Sequence, residues 1–165
     1  MKRLLKKMYA FLCRKICLRK VKSYGMEPHV NKWCKFSRNT VIGNHCNFNG
    51  ISIYGQGKVE IGDYFHSGEG IKIFTTYHNY EGGKKIPYDD TFVTRDVTIK
   101  ECVWCGTDVT ILAGVTIGEG AVIQNGSVVV NDIPDCGVAG GAPAKVFKYR
   151  DKEHYYRLKD EGAFF

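Results

Sequence analysis

The chain is poor in proline, with 4 in 165 residues, and no apolar run approaches the roughly 20 residues a membrane-spanning helix needs. Its first 25 positions hold no acidic residue. Its cysteines number 7, an odd count, with one CxxC (Cys102 and Cys105) and no second pair. These gaps exclude a proline-rich linker, a bundle of spanning helices, a secreted disulfide framework and a four-thiolate zinc site. Histidines fare no better as metal ligands, because 21 residues separate His45 from His66 and 12 more lead to His78. No metal is expected, and the thiols are expected to be reduced in a cytoplasmic protein.

Charge is unevenly placed. The net charge is +7, yet residues 1–25 carry nine Lys or Arg while the remainder holds 15 basic and 17 acidic side chains. The chain therefore has a basic arm on a near-neutral body, which argues against a nucleic-acid-binding core. Within that arm, residues 2–22 have helical periodicity. Leu4, Leu5, Met8, Tyr9, Phe11, Leu12 and Ile16 fall on one face, and Lys2, Arg3, Lys6, Lys7 and Arg14 on the other. Such a helix either lies on the anionic inner face of a membrane or packs on its own domain or a neighbouring subunit; packing is the default.

Glycine is plentiful, at 19 residues, and signals many tight turns. From Ile99 the chain divides into blocks of six: IKECVW, CGTDVT, ILAGVT, IGEGAV, IQNGSV and VVNDIP. The first column reads Ile99, Cys105, Ile111, Ile117, Ile123 and Val129; the fifth reads Val103, Val109, Val115, Ala121, Ser127 and Ile133. A period of six fits neither a helix nor a simple alternating strand, and short fixed repeats are the signature of a stacked solenoid. The frame appears earlier, from Phe36, slips near Tyr54–Glu60 and vanishes between His78 and Val97. The expected architecture is an all-β solenoid over 26–149, preceded by the basic helical segment 1–25. An excursion spans 79–96, and a short helix in 150–165 closes the open end.

His78 stands where the repeat opens into that excursion. A histidine's ordinary pKa of about 6.5 suits a general base near neutrality. Around it lie Tyr77, Asn79 and Asp89, an aromatic, an amide and a carboxylate suited to a polyhydroxylated ring, and Glu81, Asp89 and Asp90 are all candidates to orient the imidazole.

The repeats, the loop Thr75-Thr76-Tyr77-His78-Asn79-Tyr80, the sequence Val103-Trp104-Cys105-Gly106 and the closing Val138–Val146 stretch follow one another in an order that resembles the hexapeptide-repeat acyltransferases. The branch is that of galactoside, maltose and xenobiotic acetyltransferases and polysaccharide O-acetyltransferases. The resemblance covers roughly 36–150. It implies a left-handed parallel β-helix, a homotrimer with active sites between subunits, and acetyl-CoA as co-substrate. It also implies His78 as catalytic base, with Trp104 beside the thioester and Gly106 and Thr107 along the pantetheine arm. Asn125 continues that groove, in a position where family members carry a small residue. Gly141 and Ala142 belong to the glycine-rich exit loop, and Lys145 and Lys148 would meet the phosphates of CoA. The implied reaction is O-acetylation of a sugar hydroxyl, on a capsule or lipopolysaccharide precursor or another saccharide. Acetylation of an amino-sugar nitrogen is the enzymatic alternative, and a non-catalytic β-helical binding protein the other.

Overall fold

Each six-residue block buries its first and fifth side chains and turns the chain at its fourth. In the computed structural model, which describes residues 2–165, the fourth positions Cys102, Asp108, Gly114, Gly120 and Gly126 all have positive φ, from +55° to +91°. Asp and Gly enter this region readily, and Cys102 does so only because its neighbours hold it there. Every first- and fifth-column residue from Ile99 to Ile133 is buried.

The strands between these turns build three flat faces. The first stacks Ser23–Tyr24, Thr40–Ile42, Val59–Ile61, Val97–Ile99 and Thr116–Ile117. The second stacks His29–Val30, Asn47–Phe48, His66–Ser67, Trp104–Cys105, Val122–Ile123 and Gly137–Gly141. The third stacks Ile51–Tyr54, Ile71–Phe74, Thr110–Ile111 and Val128–Val129. All these pairings are parallel. Inward side chains repeat from coil to coil: Phe36, Phe48 and Phe65 pack at centroid separations of 5.2 and 5.7 Å, and an isoleucine ladder follows. Each such side chain is worth about 1.5–3 kcal/mol of burial.

The solenoid begins earlier than the repeat frame suggests. Ser23 and Tyr24 pair in parallel with Val41 and Ile42, so a first coil precedes Phe36, and His29 lies on a strand of that coil. Helix α1 (Lys2–Cys17) packs on this coil through Cys13, Cys17 and the following Leu18, which join the core beside Val30, Cys34 and Phe36. The Cys34 N–H donates to Cys17 Sγ at 3.4 Å. Of the two packings expected for the apolar face, on its own domain or on a neighbouring subunit, the first is thereby corrected. Leu4, Leu5, Met8, Tyr9, Phe11, Leu12 and Ile16 all remain exposed, because the segment meets the coil through Cys13, Cys17 and Leu18 instead.

The C-terminal expectation is corrected in position. The open end of the second face is covered by strand Ala144–Tyr149, which turns back antiparallel on Gly137–Gly141. Helix α2 (Lys152–Asp160), capped by Asp151 accepting from the His154 N–H at 3.0 Å, lies instead along the edge between the first and second faces. Tyr155 is buried there and its hydroxyl bonds Glu119 at 3.1 Å, while Lys159 bridges Glu119 at 2.7 Å and Glu101 at 2.9 Å. The chain then reaches down to the coil of Tyr64, where Phe164 stacks at 4.0 Å. No helix among the described residues is long and apolar enough to cross a membrane.

Candidate active site

The excursion opens as an antiparallel hairpin. Thr76–His78 pairs with Phe92–Thr94, and His78 stands opposite Phe92. The imidazole is held between two rings, Tyr88 at 3.8 Å and Phe92 at 4.6 Å. Its Nδ1 is buried and has no hydrogen-bond partner among the described residues, which leaves Nε2 as the nitrogen available to an incoming group. A ring fixed by stacking, with one nitrogen turned inward, can exchange a proton only through the other.

The three carboxylates proposed to orient this ring do not bond it. Asp89 is committed within the loop, accepting from the Lys84 N–H at 2.7 Å and from the Thr91 N–H and hydroxyl at 2.9 and 2.6 Å. These bonds, the Thr91 hydroxyl first, hold its carboxyl below the usual range. Asn79 is used similarly, accepting from the Gly82 N–H at 2.9 Å. Both residues shape the loop that follows His78. Tyr77 remains half-exposed at its mouth, tilted on Tyr80 at 6.0 Å.

A second constellation forms along another edge. Cys105, Ile123 and Ala139 are register partners on the second face, so the residues that follow them stack at the corner towards the third face. Gly106 and Thr107 lie in one coil, Asn125 in the next, and Gly141 and Ala142 above them, with Lys145 opposite Gly140 on the return strand and Lys148 opposite Val138. The spacing is tight. A Cβ on Gly106 would sit 2.8 Å from the Asn125 backbone nitrogen, so only glycine lets these coils approach. The Asn125 Oδ1 accepts from the Thr107 N–H at 2.9 Å, so its side chain spans two coils. The column is buried at Gly106, partly open at Thr107 and exposed from Asn125 upward, with two exposed lysines at its upper end.

Trp104 lies on the second face, 57% exposed. Beside it is a groove of about 360 Å³ whose walls include Tyr64, His66, Arg150 and Phe164. Sequence reasoning missed these aromatic walls, and also Phe92, because their placement depends on which coils stack and on the return path of the C-terminal segment. His78 is not part of this groove. Within one chain, His78 leaves the third face at its corner with the first, whereas the glycine column lies at the opposite edge of that third face.

The thiols are unsuited to nucleophilic chemistry. Burial pushes Cys105 up to about 12, and raises Cys102 as well. No group of three or more His, Cys, Asp or Glu among the described residues is arranged to hold a metal ion.

No protein-family model matches the chain. Galactoside O-acetyltransferase of Escherichia coli (strain K12) is 33% identical over 138 residues, covering 82% of this chain and 66% of that protein. A galactoside acetyltransferase solved in complex with coenzyme A superposes with a TM-score of 0.72 at 26% identity, over 93% of this chain and 83% of that one. A hexapeptide-repeat acetyltransferase from Vibrio cholerae O1 biovar eltor, solved with acetyl coenzyme A, also gives 0.72, at 23% identity over 89% and 87%, and shares the fold.

The chain belongs to the hexapeptide-repeat acetyltransferases.

The chain spans 66%, 59% and 56% of the length of three curated relatives it matches. Its solenoid, stacked as the repeat predicts, is the left-handed parallel β-helix that the resemblance implies.

Proposed function

We propose that the chain transfers an acetyl group from acetyl-CoA to a saccharide hydroxyl, such as one on a capsule or lipopolysaccharide precursor, with His78 as general base. The observation that carries this reading is the clamped imidazole at the mouth of a polar and aromatic loop. Acetyl-CoA supplies an activated acyl thioester. His78 Nε2 takes the proton of the acceptor hydroxyl as its oxygen attacks the acyl carbon, and returns that proton to the departing thiol sulfur. The backbone column from Gly106 to Ala142, with Trp104, is the groove proposed for the pantetheine arm, and Lys145 and Lys148 are the cations for its phosphates. Tyr77 faces the acceptor directly, while Asn79 and Asp89 act by holding the loop.

His78 and the glycine column occupy different corners of one prism. A neighbouring copy laid against the third face would bring a base and a cofactor column into one cleft, which supports a homotrimer with active sites between subunits. The proposed place of action is the cytoplasm, at the inner face of a membrane where residues 2–22 hold the protein.

The test is free-thiol release from acetyl-CoA against a panel of sugars and amino sugars, with wild type and His78→Ala. Turnover with hydroxyl acceptors, lowered about 100-fold or more in the variant, is expected. Turnover confined to amino sugars would move the reaction to nitrogen. Thermal stabilisation by neither CoA nor acetyl-CoA would overturn the enzyme reading and leave a binding protein.

A further inference from the structure

Helix α1 is attached to the body by the wrong side for an ordinary amphipathic helix. Its buried contacts are Cys13 and Cys17. Nine positions are two and a half turns at 3.6 residues per turn, so Leu4 points directly away from Cys13 and Met8 directly away from Cys17. The large apolar arc, with Leu5, Phe11, Leu12 and Ile16 beside them, is 42–64% exposed and faces away from the protein. Lys7 and Lys15 stand one turn before and after Phe11, and Arg14 flanks the same arc. No acidic residue lies within positions 1–25.

We infer that this outward face docks on an anionic lipid bilayer, with the helix lying flat in the headgroup layer. This deepens the membrane location proposed above and does not depend on the transfer reaction. Charge selects the occupant. Two copies of α1 meeting through this face would bring their cations together with no acid on either helix to offset them, whereas anionic headgroups neutralise every one. Sixteen residues span about 24 Å as a helix, too short and too basic to cross the membrane but suited to lying on it. A second observation points the same way. Trp33, 55% exposed on the first coil, stands where Tyr9 of the helix meets the body, which puts a tryptophan and a tyrosine at the rim of the apolar face. Both residue types favour the membrane–water interface. The geometry also sets a reach: His78 leaves the third coil, two coil spacings or about 10 Å along the axis from the coil that carries α1. An acceptor held by a lipid tail would thus present its headgroup close to the base.

The experiment is co-flotation of the full chain with vesicles of phosphatidylglycerol or of phosphatidylcholine, with oligomeric mass measured by light scattering on the same samples. Binding at least tenfold stronger to phosphatidylglycerol, weakened by salt, is expected. The triple change Lys7→Gln, Arg14→Gln, Lys15→Gln should weaken it about 100-fold, and Leu4→Asp with Phe11→Asp should abolish it, both at unchanged mass. Trp33 fluorescence, isolated in Trp104→Phe, should shift to the blue on binding. Equal binding to both lipids, or none to phosphatidylglycerol, overturns the inference. So does a loss of mass in Leu4→Asp/Phe11→Asp, which would make this face a contact between copies. Acetyl-CoA stabilisation of the same preparations separates failure of this inference from failure of the transferase reading.

Discussion

The rings of His78 and Tyr88 lie parallel to within 19°, with their centroids 3.8 Å apart. Each comes from a different arm of the excursion, so the stack ties the proposed base to the tip of its own loop. Such a pair is worth about 0.5–1.5 kcal/mol beyond burial. Tyr88→Phe should therefore keep kcat near the wild-type value, while Tyr88→Ala should lower it by up to about tenfold with the KM for acetyl-CoA unchanged. Steady-state kinetics of the two variants checks this, and equal losses in both would assign the effect to the hydroxyl instead of the stack.

Gly106 is packed under the next coil with no room for a side chain. Gly106→Ala should cost about 1–3 kcal/mol by forcing the Asn125 turn outward, and should weaken acetyl-CoA binding because both residues belong to the proposed groove. Urea unfolding and calorimetric titration read the two effects separately. Asn125→Ala at an otherwise wild-type Gly106 leaves the Thr107 N–H unpaired, and should cost about 1 kcal/mol.

The corner residue Asp135 gives a pH signature. Its carboxylate accepts from the Glu119 N–H at 2.8 Å and from Lys100 at 3.2 Å, and these contacts, the backbone one first, hold it below its ordinary value. A depressed carboxyl stabilises the fold above its unfolded pKa near 4, and that contribution fades as pH falls through the lower folded value. The melting temperature of wild type should thus fall more steeply between about pH 5 and about pH 3 than that of Asp135→Asn. Parallel slopes would remove Asp135 from the acid response.

Thiol labelling separates the core from the corner. Burial raises Cys34 and Cys46 to about 11 and Cys105 to about 12, whereas Cys102 is only partly covered at its turn. Alkylation mapped by mass spectrometry at about pH 8 should modify Cys102 first, with the three core thiols reacting only on unfolding. Labelling of Cys105 in the native protein would contradict its inward position.

The solenoid was legible because its columns are set by burial. Ile99, Ile111, Ile117 and Ile123 recur every six residues, or every twelve where Cys105 intervenes, and nothing else fits that period. The first coil keeps the same spacing, with Val30 and Cys34 in the first and fifth columns ahead of Phe36, but its block VNKWCK carries no glycine or aspartate at the turn to mark it. Helix α1 was read as amphipathic, correctly in composition, but which side meets the body depends on the folded first coil, and Cys13 and Cys17 make that contact instead of the leucine face. In the candidate site, individual residue types suggested the chemistry, whereas their distribution did not follow from order in the chain. Asp89 looks like an orienting carboxylate in sequence, and only the folded loop reveals Lys84 and Thr91 as its partners.

Coil length is set at the corners and varies: register partners stand 18 residues apart at Tyr24 and Ile42, 20 at Ile51 and Ile71, and 16 at Ile123 and Ala139, while Ile42, Ile71 and Ala139 all stay buried. The solenoid thus takes up growth where a corner can release the chain and take it back. Residues 79–96 are such a release, anchored by the short ladder of Thr76–His78 on Phe92–Thr94. The loop is thus a cassette: on the proposed reading, exchanging its contents between solenoids of the same pitch should carry acceptor preference with them while the prism beneath stays unaltered.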